Sequence, residues 1–129
     1  MTIYRGTEVM AFTFTEFKDA SFKNGVSFAI VRARQNMPGH SRSLFNEKDI
    51  NDLGYHYLNE LDRVDDAIEI FKFNVSLFPD SPNTYDSLGE AYFVKGDLEE
   101  ASHNYKKSLE VDPQNNNARH MLRQIRFIH

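Results

Sequence analysis

The sequence predicts an all-α chain: a short α-solenoid of antiparallel helical hairpins, with a degenerate unit at its N-terminus and a capping helix at its C-terminus. The first observation behind this is a pattern that occurs twice. Ile50, Leu53, Gly54, Tyr57, Ala67, Phe71 and Pro79 are echoed by Tyr85, Leu88, Gly89, Tyr92, Ala101, Tyr105 and Pro113. The first four pairs are 35 residues apart and the last three 34, so one extra residue lies between Tyr57 and Ala67. A fixed period of this size marks stacked supersecondary units. The second observation is the chemistry of the repeated positions. Gly54 and Gly89 let two helices approach closely, Ala67 and Ala101 do the same from the second helix, and the aromatics fill the remaining space. Pro79 and Pro113 stop the second helix, because proline clashes with the preceding turn.

The elements follow in order. Residues 1–12 read as irregular or extended. Thr13-Phe14-Thr15-Glu16 has the form of a capping box, and a helix follows to about Lys23, stopped at Asn24-Gly25. A second helix, Val26 to Gln35, ends before Met37-Pro38-Gly39. The rival for this segment is a β-hairpin, since Asn-Gly between short apolar runs is a two-residue turn signal. The helical spacing of Phe28, Val31 and Gln35 favours a degenerate hairpin of helices. Residues 38–46 read as a polar loop. Glu47 to Glu60 and Val64 to Phe78 form the first good repeat, about 47–79. Ser81 is the expected N-cap of the next helix, with Pro82 at its first position and Gly96 as a left-handed stop after Lys95. Asp97-Leu98-Glu99-Glu100 reads as another capping box, and the second repeat spans about 82–113. The run Gln114 to Asn117 reads as a turn with capping potential. Ala118 to Ile128 closes the chain as an amphipathic helix within a capping unit of about 116–128.

These residues resemble the tetratricopeptide repeat, whose consensus is an aromatic, Leu-Gly, Tyr, then Ala, an aromatic and Pro. Residues 82–113 carry the pattern closely, and 47–79 carry it with Ile50 in the first aromatic slot. A second resemblance spans roughly residues 25–122. Phe45-Asn46-Glu47, Leu53-Gly54-Tyr55, Ala67-Ile68, Phe71-Lys72, Asn74-Val75 and the run Tyr85 to Tyr92 are similar to the repeat region that ends many bacterial serine hydrolases of β-lactamase-like and α/β-hydrolase type.

Composition bounds the function. The 129 residues carry 15 Lys and Arg against 19 Asp and Glu, a net charge of −4, which argues against a dedicated nucleic-acid binder. Zero cysteines exclude disulfides and thiolate zinc sites. No apolar run approaches the ~18 residues that would span a bilayer, so no membrane partner is expected. The N-terminus shows no apolar signal core, so a cytoplasmic location is expected if the chain is complete and none is assigned if it is a fragment. No cofactor or metal is expected: His40, His56, His103, His120 and His129 never fall three or four residues apart. Gly39-His40-Ser41-Arg42-Ser43 lacks the second glycine and the strand-turn-helix context of a serine nucleophile elbow, so a loop is the expected reading and no catalytic residue is assigned.

The groove is the functional candidate. In the architecture that the resemblance implies, the first helix of each hairpin lines a concave face. Beside the packing residues, that face carries Asn51, Tyr55, Leu58 and Asn59 on one helix, and Asn83, Asp86, Glu90, Phe93 and Val94 on the next. Asparagines can hydrogen-bond an extended peptide, and Tyr55 and Phe93 can bury its apolar side chains. The family also has a specialised groove that grips a chaperone's C-terminal carboxylate with Lys, Arg and Asn; Asp86 and Glu90 stand on the comparable face here, so that clamp is not expected. The leading expectation is a non-catalytic module for a basic or apolar peptide or partner domain. The alternative is a C-terminal accessory domain of a serine hydrolase, and a weaker third is an enzyme using Ser41. Six of the eleven phenylalanines lie in residues 1–45. That segment either folds back as a missing third hairpin, or apolar end faces from two chains pair as a homodimer, the outcome expected here.

Overall fold

The computed structural model describes residues 12–36 and 45–128. Among these residues the chain is all helical, in seven α-helices with no strand. Helices α1 (Phe14–Asn24) and α2 (Val26–Gln35) form one hairpin, α3 (Glu47–Tyr55) and α4 (Val64–Leu77) a second, α5 (Pro82–Lys95) and α6 (Leu98–Val111) a third, and α7 (Asn116–Ile128) closes the stack.

The N-terminal segment is a helical hairpin, not a β-hairpin. Thr13 and Glu16 form a reciprocal capping box, and Gly25, at φ +100°, separates the two helices. Phe17, Val26, Ala29 and Ala33 supply the buried stripe. Phe28 and Val31, whose spacing suggested the helix, lie on its exposed side. The period was right, but the smaller residues face inward because α2 packs closely against its neighbours. This hairpin takes the place of the missing third unit. Phe17 stacks on Phe73 with centroids 5.3 Å apart, and the Tyr57 hydroxyl donates to Ser21 Oγ at 3.0 Å. Residues 37–44, with the Gly39–Ser43 motif, lie outside the described residues, as do residues 1–11. Phe45 and Asn46, expected in a polar loop, do structural work instead: Phe45 is buried, and Asn46 Oδ1 caps α3 by accepting from the Asp49 amide at 2.7 Å.

The extra residue between Tyr57 and Ala67 has a visible cost in geometry. Helix α3 ends at Tyr55 and continues as a π-helical turn over His56–Glu60, closed by the Leu61 amide on the His56 carbonyl at 3.1 Å. A single inserted residue in a helix is absorbed in this way, as a widened turn. Asp62 follows at φ 55°.

The hairpins close as the small residues require. Phe71 and Tyr105 are buried against Gly54 and Gly89, with Ala67 and Ala101 fully buried beside them. Two apolar clusters result. One spans α1 to α5, the other joins Ala101 and Tyr105 to Ala118 and Ile125 of α7, and Tyr92 packs against both. Gly96 stops α5 in the left-handed conformation, and Asp97 caps α6 through the Glu100 amide. Ser81 does not cap α5; its hydroxyl donates across the hairpins to Glu47 Oε2 at 2.7 Å. Helix α7 begins two residues before Ala118, because Asn115 Oδ1 accepts from the Ala118 amide. Phe127 and Ile128 stay exposed on its outer side.

Candidate functional site

The first helices of the hairpins share one side of the molecule, and between α3, α5 and α7 they leave a cleft of about 520 Å³. Of the residues assigned to the concave face, Asn51, Tyr55, Asn83, Asp86 and Glu90 line it. Leu58, Asn59 and Phe93 do not. Leu58 is buried in the main core and Asn59 is exposed beyond the cleft. The π turn begins right after Tyr55, so residues beyond it rotate off the face that a 3.6-residue period projects. Phe93 packs half-buried against the Tyr105 cluster, and Val94 is exposed outside the cleft.

The floor of the cleft is a polar network. Ser87 Oγ donates to Asn51 Oδ1 at 2.6 Å, and the Tyr55 hydroxyl donates to Glu90 Oε1 at 2.7 Å. Both bonds join α3 to α5. Asp86 receives two amides from beyond α6, Asn115 Nδ2 at 2.9 Å and Asn117 Nδ2 at 2.8 Å. Asn115 Nδ2 also lies 2.7 Å from Ser108 Oγ, whose own proton goes to the Pro82 carbonyl at 2.8 Å. Ser87, Asp112, Asn115 and Asn117 are among the lining residues that sequence reasoning missed. The amide run from Gln114 to Asn117 was visible, but it read as a turn, and nothing local showed that it folds onto α5.

Three carboxylates, Asp86, Glu90 and Asp112, line this cleft, and no Lys or Arg does. Burial of the phenol, reinforced by the Glu90 bond and the nearby Asp86, pushes Tyr55 well above the ordinary tyrosine value, although Ser87 acts in the opposite sense. A raised folded-state value means that the Tyr55 contribution is complete below the unfolded value near 10.0 and is lost as pH rises above it. Burial raises Tyr105 and Tyr57 in the same direction, so stability is expected to fall between about pH 10 and 12, and Tyr55→Phe should remove part of that fall. Urea melts of both proteins across this range check it; parallel curves would show that Tyr55 is not the group concerned. Among the described residues no cluster of three or more His, Cys, Asp or Glu is placed to hold a metal ion. No described helix is long and apolar enough to cross a membrane.

Close-packed Gly and Ala at the hairpin crossings, αL and proline stops, and a polar cleft lined by first helices are the features of a tetratricopeptide-repeat fold. Residues 82–115 match the family model of the tetratricopeptide repeat, and the chain as a whole has the fold of such domains. It is similar to the first such domain of Spaghetti (RPAP3) bound to the HSP90 peptide SRMEEVD, with a TM-score of 0.60 and 24% identity over 98% of each chain. It is similar to the first such domain of human RPAP3, with a TM-score of 0.59 and 25% identity over 90% of this chain and 89% of that one. Among curated proteins it is 42% identical over 64 residues to the heat shock protein STI1 of Saccharomyces cerevisiae. That match covers 50% of this chain and 10% of the yeast protein, so the chain spans about a tenth of the relative's length.

Proposed function

We propose that the chain is a non-catalytic interaction module that holds a basic segment of a partner protein in the cleft between α3, α5 and α7. The observation that carries this is the charge of the cleft: three lining carboxylates with no lining cation, beside amide groups able to pair with a peptide backbone. The comparisons support the mode of binding, since a domain of the same fold is recorded with a peptide. They do not extend to that peptide's chemistry. The acidic residues of SRMEEVD would face Asp86, Glu90 and Asp112, and like charges brought together at an interface cost several kcal/mol. The reading of an accessory domain from a bacterial serine hydrolase draws no support from these relatives; those whose source is given are yeast and human proteins. A homodimer through Phe127 and Ile128 is a separable proposal that binding in the cleft does not require.

The cleft network dictates how this is tested. Replacing Asp86 and Glu90 together with Lys would remove acceptors used by Asn115, Asn117 and Tyr55, so lost binding and lost packing would be confounded. Glu90→Gln keeps an acceptor for the Tyr55 hydroxyl and removes only the charge. On an array of peptides, the parent protein is expected to favour Lys- and Arg-containing segments over SRMEEVD. Glu90→Gln should weaken those hits about tenfold, the loss of one charge-assisted contact. Equal binding of basic and acidic segments, or hits indifferent to Glu90→Gln, would remove the case for a basic ligand in this cleft.

A further inference from the structure

A second hollow lies between α1 and α3, with a volume of about 440 Å³. Its walls are the rings of Phe14 and Phe22, and buried Leu53 is among its lining residues. Phe22 is unusual for a phenylalanine packed on the fold. One face stacks on Tyr57, at 5.6 Å and 29°, with the His56 ring edge-on at 5.7 Å, yet the side chain stays 48% exposed. Carboxylates Asp49, Asp52 and Glu60 also line the hollow, against the single ammonium of Lys18. An aromatic face beside carboxylates suits a flat cation, which stacks on the ring while its N–H groups reach the acids.

This hollow and the cleft already described lie on either side of α3. A third depression, around the start of α3, shares Asp49 and Asp52 with the aromatic hollow and Asn51 and Asn83 with the cleft. The start of α3 therefore borders all three depressions, with the aromatic hollow on its α1 side and the cleft on its α5 side. With the hollow on one side of α3 and the cleft on the other, a helix spacing of about 8–10 Å puts their centres on the order of 15 Å apart. An extended segment covers that distance in four or five residues at about 3.3 Å each.

We propose that the hollow between α1 and α3 receives an arginine side chain from the same basic segment, four or five residues from the residue that sits in the cleft. This rests on the cleft reading above. Arginine fits where lysine does not, because its guanidinium is planar, weakly hydrated and stacks on rings, whereas an ammonium is a compact, strongly hydrated charge. The acids have donors at present: Asp52 pairs with Lys48 at 2.8 Å, Glu60 with His56 at 2.5 Å, and Asp49 Oδ2 accepts from Asn46 Nδ2 at 3.0 Å. The two pairs and the Asn46 bond are exposed, with the Lys48 side chain 82% accessible, and contacts of this kind hold weakly enough for a guanidinium to displace.

The test is an NMR titration with an end-blocked peptide carrying two arginines separated by four glycine and serine residues. Chemical shifts are expected to move at Phe22, His56 and Glu60 and at Asp86, Glu90 and Asn115, with one common affinity. Citrulline in place of one arginine should abolish one of the two sets of shifts. Phe22→Ala should weaken the peptide about fivefold. Asp52→Asn should do so too, and because Asp52 is exposed that variant separates lost binding from lost packing. Shifts confined to the cleft would overturn this inference and leave the cleft reading standing. Shifts at Phe22 retained when leucine replaces arginine would make the hollow an apolar anchor and overturn the arginine assignment. No shifts in either place at millimolar peptide would defeat both readings.

Discussion

Gly54→Ala is expected to lower stability by about 2 kcal/mol, although alanine is the better helix former. A methyl group on Gly54 would overlap the ring of Phe71. That ring is fully buried and has Tyr55 edge-on at 5.0 Å, so it cannot swing out to solvent. Overpacking of a core costs typically about 1–3 kcal/mol, and the helix-propensity gain of up to about 1 kcal/mol offsets only part of it. The drop in melting temperature should be roughly 5–10 °C. Gly89→Ala makes the informative control. Its methyl would touch Tyr105 at 3.0 Å, which a slight adjustment of the ring relieves, so the net change should stay within about 1 kcal/mol. Thermal and urea melts followed by circular dichroism check both. Equal effects at the two glycines would mean that the α3–α4 crossing is looser than described.

Asn115→Ala should be the most damaging change in the cleft itself. The side chain caps α7 through the Ala118 amide at 3.2 Å and donates to Asp86 and Ser108. A lost cap costs about 1 kcal/mol, and loss of the bonds to the Asp86 carboxylate and to Ser108, which is fully buried, adds about 1–3 kcal/mol. The sum, about 2–4 kcal/mol, falls on the contact between α7 and the Tyr105 cluster. Slow-exchanging amides in α7 should lose protection before those of α4 or α5. A variant with parent-like protection in α7 would show that Ala118 and Ile125 hold this helix without the network.

The repeat units were legible because their signals are local. Gly89 and Tyr105, Pro82 and Gly96 each act within one hairpin, and the period of the repeat stated where its partner would fall. The inserted residue between Tyr57 and Ala67 was legible as a count but not as a conformation. Its resolution into a π turn displaced Leu58 and Asn59 from the face assigned to them. Ser81 carries a good capping signal, yet Glu47, 34 residues away, offered its hydroxyl a different partner. The cleft was half legible for the same reason. Asn51, Tyr55, Asp86 and Glu90 follow from helical spacing, whereas Asn115 and Asn117 reach Asp86 only after α6 and its turn have brought them back. In the first hairpin, spacing identified the helix but not its inner side. Nothing local distinguishes Ala29 and Ala33 from Phe28 and Val31 until the closeness of the neighbouring helices is known.

The central claim, that partners are held on the side formed by the first helices, is tested most directly by hydrogen exchange with a bound peptide. A binder selected from a random peptide library and added at saturation should slow exchange in α3, α5 and the start of α7, around Asn51, Asp86 to Glu90 and Asn115 to Asn117. Exchange in α2, α4 and α6 should stay as it is in the free protein. Protection confined to those second helices, with the cleft unchanged, would contradict the account.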